Sequence, residues 1–435
     1  MFDWQIADER APAPVPTRAP RRRISPRRLR AASAAVAALL VLGGVWLLAR
    51  YQDGERRIRQ DLADAVAEET LAWNAGDANR YRALLDPAGG GAWRAAMMRS
   101  FGEGHNGIYY QSQSGPVMAS PVLPSDQWWL QTVQLVAVEW QSDLAVVRVS
   151  VRTQDPFLSE YDETRIYRRV GNRWARSSSG DALWGPGETL DTAHFRLVFQ
   201  RRDRPAARAA ARDIEGWYQR VRRDYGLRER GDDGPITVEI VATPVEGLEE
   251  AFEGPVRVPS PWLVAMAPRQ SAEAQLRWEI GLAVTKRLQG QAGPIDRYAS
   301  SGLRFVLSGL NLWEARQWAG EMVPWERQRA ALVRQAVQDL ARRPAQSSPA
   351  LPMLSVAQRS DDLQDGRTAY LLATTMADFI ADRFGSERFG AVIAAARPLG
   401  ATESRISAAL RLTSWDLERE WAAYLIRTYG EGHRP

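Results

Sequence analysis

The chain has 435 residues, of which 45% are apolar and 25% charged, proportions that exclude a wholly disordered polymer and leave room for two or three folded domains. It contains no Cys, which excludes disulfides, thiolate-held zinc and a thiol nucleophile together. The net charge of +5 belongs to residues 1–30, where eight Arg face Asp3, Asp8 and Glu9; the remainder is neutral and carries no nucleic-acid footprint. Lys286 is the only Lys among 57 basic residues, a bias toward Arg that reads as genome composition.

Residues 1–30, rich in Pro, Ala and Arg, read as a disordered basic tail. Ala31 to Ala49 are uncharged, and as a helix these 19 residues would extend about 28 Å, near the hydrocarbon thickness of a bilayer. A single transmembrane helix over 31–49 is therefore expected. The competing reading is a cleaved signal peptide, but Leu47-Leu48-Ala49-Arg50 lacks a small-x-small cleavage pattern. Arg21, Arg22, Arg23, Arg27, Arg28 and Arg30 precede the span. They predict a cytoplasmic N-terminus, with the bulk of the chain extracytoplasmic and the membrane as a partner.

From Ile58 the pattern turns helical, with Leu62, Val66 and Trp73 along one stripe. Gly76 is placed to end this helix and Asp77 to cap the next, which carries Tyr81, Leu84 and Leu85 before Asp86-Pro87. A third short helix is expected over Trp93 to Phe101. Strands follow: Thr132 to Trp140, then Val147, Val149 and Val151 alternating with Arg148, Ser150 and Arg152, then a pair around Ile166 and Trp174 joined by Gly171-Asn172. Helices followed by an antiparallel sheet mean an α+β fold. With the run Ala72-Trp73-Asn74-Ala75-Gly76-Asp77, residues 57–183 resemble the nuclear transport factor 2-like (SnoaL-like) cone. That resemblance implies an interior that holds a ligand, an active site or nothing. Trp73, Tyr81, Trp128 and Trp129 are the candidates to line its mouth, although aromatics in this pattern are more often core or a partner surface.

Trp184-Gly185-Pro186-Gly187 reads as a linker, and a second domain is expected over 191–431. Its predicted elements are a strand over His194 to Phe199, a long helix from Pro205 to Tyr225, a strand over Ile236 to Val241 and an edge strand over Trp262 to Ala267. A helix over Leu276 to Leu288 follows, apolar nearly all the way round and therefore buried. Helices at Thr368 to Phe384 and from Ser414 onward close the chain, the last with Leu417, Trp421 and Leu425 as its stripe.

This order, with the Leu-Glu-x-x-Trp pattern at Leu417 to Trp421, resembles the peptidase MA-like family of gluzincins. The resemblance implies zinc held by His-Glu-x-x-His and a carboxylate from the next helix. Here Trp278 stands at the first His position, Leu282 at the second and Ser301 at the carboxylate, while Glu279 keeps the general-base position. Tyr298 matches the aromatic position, and Gly302-Leu303 match the Gly-Leu that follows the third ligand. Trp278 and Leu282 read more readily as ordinary core than as the relic of a pocket that still binds something. Arg304 is expected to pair with a buried Glu279 in place of the metal. His105, His194 and His433 are the only histidines and none is four residues from another, so no metal or other cofactor is expected.

Together these features predict a single N-terminal transmembrane helix, a cone-shaped α+β domain and a zincin-like α+β domain with a mainly helical C-terminal half. The expected function is a membrane-anchored extracytoplasmic binding, scaffold or sensing protein with a protein or peptide partner, built on an inactive peptidase-like domain. Two alternatives remain open at this point: an unorthodox hydrolase using the remnant cleft or the cone, and a transmembrane signalling subunit acting through its Arg-rich tail.

Overall fold

A computed structural model of the chain describes residues 26–105, 130–153, 160–178, 181–228, 234–242, 254–263, 270–292, 301–320, parts of 330–338, 375–397 and 404–430. Two compact units are present, Met1–Gln60 and Asp61–Pro435.

In the first unit the described residues form the opening length of helix α1, Pro26–Asn74. The Arg50 guanidinium lies 5.2 Å from the centre of the Trp46 ring, and Arg59 pairs with Glu55 one turn earlier at 3.1 Å. Among the described residues no helix is long and apolar enough to cross a membrane. This overturns the expected transmembrane helix at 31–49. The single-pass anchor, the membrane as partner and the two-sided localisation derived from it fall with it. The physical reason lies in composition: the apolar stretch is interrupted by Gly43 and Gly44, and the helix continues unbroken into Arg50, Asp53, Glu55 and Arg56.

The second unit is α+β, with two four-stranded sheets. The last turns of α1 bury Leu62, Val66 and Ala72. Gly76, at φ 64°, reverses the chain, and Asp77 caps α2 (Ala78–Leu84) by accepting from the Arg80 amide at 2.9 Å. Helix α3 occupies Gly91–His105. The first sheet is an antiparallel meander of β1 (Gln131–Gln141), β2 (Leu144–Thr153), β3 (Glu160–Val170) and β4 (Arg173–Arg176). Alternation in β2 works as the sequence implies: Val147, Val149 and Val151 are buried while Arg148 and Arg152 face solvent. A reciprocal amide clasp joins α1 to β1. Asn74 Nδ2 donates to the Gln131 carbonyl and the Gln131 amide donates to Asn74 Oδ1, both at 2.9 Å. Asp86, 1% exposed, accepts from Ser177 Oγ at 2.7 Å and so joins the end of α2 to β4.

The second sheet runs β5 (Gly187–Asp191), β6 (Phe195–Gln200), β7 (Ile236–Val241), β8 (Val256–Pro259), antiparallel for the first pair and parallel for the other two. Of the expected linker, Trp184 ends a short helix, α4 (Asp181–Trp184), Gly185 and Pro186 connect, and Gly187 opens β5. β8 stands at the edge of this sheet; of the edge strand expected over Trp262 to Ala267, Trp262 and Leu263 lie in a turn and Val264 to Ala267 fall outside the described residues. His194 stands just before β6 rather than within it. The long helix expected from Pro205 is divided into α5 (Arg204–Ala211) and α6 (Ile214–Asp224).

Helices α7 (Ala272–Gln291) and α8 (Ser301–Ala319) pack side by side. Gly281 makes this approach possible, since a Cβ there would lie 3.1 Å from Ala315 Cα. Helices at 375–384, Phe389–Ala395, Ser404–Ala409 and Ser414–Tyr429 complete the chain. One core joins the second sheet to these helices, with Phe195, Leu197, Ile214, Leu276, Ile280, Leu288, Phe389 and Trp421 inaccessible to solvent. Each such side chain contributes about 1.5–3 kcal/mol by burial. At Gly390 a Cβ would stand 2.9 Å from the Tyr225 backbone, so this helix touches the end of α6 main chain to main chain.

Candidate functional site

Strand alternation puts Glu163, Arg165 and Tyr167 of β3 on one face of the first sheet, and the register sets Arg176 of β4 opposite Tyr167. These side chains meet Glu69 of α1. Tyr167 Oη donates to Glu69 Oε2 at 2.6 Å, while Arg165 Nη1 and Arg176 Nη1 stand 3.6 and 3.7 Å from Glu69 Oε1. Arg165 Nε donates to Glu163, and the Arg176 guanidinium lies 5.8 Å from the centre of the Tyr167 ring. Glu69 and Arg165 are each 5% exposed.

Burying such charges costs several kcal/mol unless each is compensated. Burial works to raise the Glu163 carboxyl, but the Arg165 and Arg176 charges outweigh it and hold it below the ordinary value. Burial likewise works to lower the Arg165 guanidinium, and Glu163 and Glu69 hold it well above its usual value. Tyr167 and Tyr81 are both pushed up, first by burial and then by Glu69, and stay neutral phenols at ordinary pH. Arg176 Nη1 is buried and has no hydrogen-bond acceptor.

Beside this polar group stands an aromatic one. Tyr81 stacks on Phe101 with ring centres 4.8 Å apart, and Trp73 meets both edge-on at 5.9 and 5.4 Å. The structure thus brings Trp73 and Tyr81 together and adds the charged cluster that the sequence reading missed. Trp128 and Trp129 lie outside the described residues.

In the second sheet's layer, Trp278 and Leu282 are 1% and 5% exposed and pack on Ala315 and Ala319 of α8. Glu279, 2% exposed, accepts from Gln275 Nε2 at 2.7 Å, and Gln275 Oε1 accepts from Gln270 Nε2 at 2.8 Å. Ser301 and Gly302 open α8, but their side-chain placement, all of Tyr298 and the Arg304 side chain lie outside the described residues, so the expected Arg304–Glu279 pair does too. Further along the same face of α7, half-buried Lys286 is pushed down to about 8 by burial, with the Glu279 charge opposing. Among the described residues no three His, Cys, Asp or Glu are grouped to hold a metal ion.

Comparison of the chain with protein-family models, curated proteins and solved structures finds no match. The two family resemblances therefore rest on the pattern of residues alone.

Two further buried groups were not legible in the sequence. Glu314 of α8 is inaccessible, with Arg220 Nε 3.8 Å from its Oε2 and no hydrogen-bond partner on either oxygen. Burial and then the adjacent Asp224 raise its carboxyl to about 8. Asp203 accepts from Ser260 Oγ at 2.6 Å, and burial raises it to about 6. His194 has a structural role: Glu215 accepts from its ring at 2.7 Å, from its amide at 2.8 Å and from Thr192 Oγ1 at 2.6 Å.

Proposed function

We propose that this chain is a binding protein whose recognition surface is the Glu69-facing side of the first sheet, and that it takes a small molecule with an anionic group and an aromatic or apolar body. The observation that carries this reading is Arg176 Nη1, a buried cationic donor that stands 3.7 Å from Glu69 Oε1 but has no hydrogen-bond acceptor. A carboxylate placed there gains a charge-assisted hydrogen bond, worth about 1.5–3 kcal/mol, while Trp73, Tyr81 and Phe101 offer apolar contact beside it. In this reading residues 57–183 are the nuclear transport factor 2-like domain and residues 191–431 a peptidase MA-like domain that lacks zinc ligands and serves as a scaffold. The packing of Trp278 and Leu282 on Ala315 and Ala319 supports a scaffold role, because the face that would present ligands to a metal is filled by apolar contacts.

Calorimetric titration of the full chain with benzoate and phenylacetate tests the binding site. Binding by the parent, with affinity lowered about tenfold or more in Arg176→Met, is the expected outcome. Equal affinities in the two proteins, or no heat from either ligand, would remove the site. Casein cleavage by the zinc-loaded full chain would remove the non-hydrolytic reading separately.

A further inference from the structure

Strands β6 and β8 flank β7 and run parallel to it, so the carboxyl ends of all three lie on one edge of the second sheet. Outside that edge is where open sheets of parallel strands receive their ligands. Two turns meet there. Arg202 and Asp203 stand on the turn that follows β6, and Ser260 and Trp262 on the turn that follows β8.

Ser260 ties the two turns together. Its Oγ donates to Asp203 Oδ1 at 2.6 Å and accepts from the Trp262 amide at 3.4 Å and from Trp184 Nε1 at 3.3 Å. The Arg202 guanidinium lies 5.5 Å from the centre of the Trp184 ring and 5.7 Å from that of Trp262, and its Nη2 donates to Glu139 of β1 at 3.1 Å. Asp203 and Ser260 are inaccessible, whereas the Arg202 side chain and the Trp262 residue are only partly covered and Glu139 stands in solvent. The group therefore has a closed floor and an open rim.

Within it Asp203 Oδ2, Arg202 Nε and Trp262 Nε1 are all buried, and none has a hydrogen-bond partner. Folding normally avoids leaving such atoms unpaired, and here an acceptor and two donors are open side by side. Their chemistry defines what fits. Arg201, Arg202 and Arg204 are answered by Glu188, Glu139 and Asp203, so the place offers no net charge. An anion drawn to Arg202 meets the Asp203 carboxylate, and a cation drawn to Asp203 meets a guanidinium. A hydroxyl both donates and accepts through one atom. One hydroxyl that donates to Asp203 Oδ2 and accepts from Arg202 Nε, with a neighbour that accepts from Trp262 Nε1, would satisfy all three open groups. The half-buried Trp262 indole offers an apolar surface to the carbon frame that carries them.

We infer that the carboxyl ends of β6 and β8 form a separate binding site, which takes a neutral saccharide through an adjacent pair of hydroxyls held by Asp203, Arg202 and Trp262. The site shares no residue with the Glu69-facing surface and does not depend on it.

The test follows the indole N–H resonances of the full chain by NMR, with the Trp262 signal identified by its loss in Trp262→Phe. The probes are methyl α-D-glucopyranoside, methyl α-D-galactopyranoside and methyl α-D-mannopyranoside, which present adjacent hydroxyls in different orientations. At least one of them is expected to move the Trp262 signal saturably at millimolar concentration, while cyclohexanol, with a single hydroxyl, does not. Affinities are then read from saturation transfer to the sugar. Trp262→Phe keeps an aromatic ring but removes the N–H, and is expected to weaken binding about threefold or more. Asp203→Asn puts a donor where the open acceptor stood and is expected to weaken it about tenfold or more; where that variant does not fold, Trp262→Phe carries the comparison. Arg176→Met leaves the sugar response unchanged. A Trp262 signal that none of the three sugars moves would overturn the inference and leave trapped water as the partner of these atoms. Equal affinity in the parent and Trp262→Phe, or an equal response to cyclohexanol, would overturn it as well.

Discussion

Replacing Glu314 by Gln is expected to flatten the pH dependence of stability. Glu314 is inaccessible, and its carboxyl is raised from 4.5 to about 8 by burial and by Asp224. A group whose folded pKa lies above its unfolded value contributes stability that is complete below 4.5 and is lost as pH rises through about 8, because the unfolded chain gives up the proton first. Between those values the loss runs at about 1.4 kcal/mol per pH unit. The drop from pH 5.5 to pH 7.5 is then about 2.5 kcal/mol. Gln keeps the length of the side chain but does not titrate. Urea unfolding of parent and Glu314→Gln, followed by circular dichroism at the two pH values, isolates this group, since Asp203 and the other raised carboxyls cancel in the comparison. Relative to the parent, the variant should gain about 2.5 kcal/mol on going from pH 5.5 to pH 7.5. Parallel pH dependence in the two proteins would refute the reasoning.

Trp278→Ala is expected to destabilise the chain by about 3–5 kcal/mol, measured as a lower urea midpoint, because Ala315 and Ala319 are too small to close the cavity. Gly390→Ala forces a methyl against the Tyr225 backbone and should cost about 1–3 kcal/mol, read as a lower thermal midpoint. Asp77→Ala removes the acceptor for the Arg80 amide and should cost about 1 kcal/mol, with the loss visible as faster amide exchange at the start of α2.

Local signals made part of this fold legible before any coordinates. The Val147 to Val151 alternation, the Gly171-Asn172 turn and the Asp77 cap each express a short-range rule, and each takes the form expected. Elements whose identity depends on partners did not announce themselves. The polar sequence of β5, Gly-Glu-Thr-Leu-Asp, forms a strand because β6 offers it a full antiparallel ladder. The break between α5 and α6 falls at Arg212-Asp213, where Asp213 turns outward to accept from Trp318 Nε1 and to pair with Arg277. The charged cluster was the hardest to see. Glu163, Arg165 and Tyr167 occur in a run so polar that it reads as a solvated face, and only the contact with Glu69, 98 residues before Tyr167, turns that face inward. The run at 31–49 was read as a span from nineteen uncharged residues and their helical length, whereas the helix that contains them continues into charge.

The contact between α7 and α8 bears on what this chain is able to become. Trp278 is accommodated because Ala315 and Ala319 recede, and Gly281 lets the two backbones come within touching distance. Large against small on facing helices is a matched pair, so neither partner is free to drift alone. Installing imidazoles at 278 and 282 would leave a void on α8 and aim both rings at a neighbouring helix rather than at open solvent. Either imidazole installed alone would therefore cost packing against α8, and only coordinated exchanges on both helices would open room there.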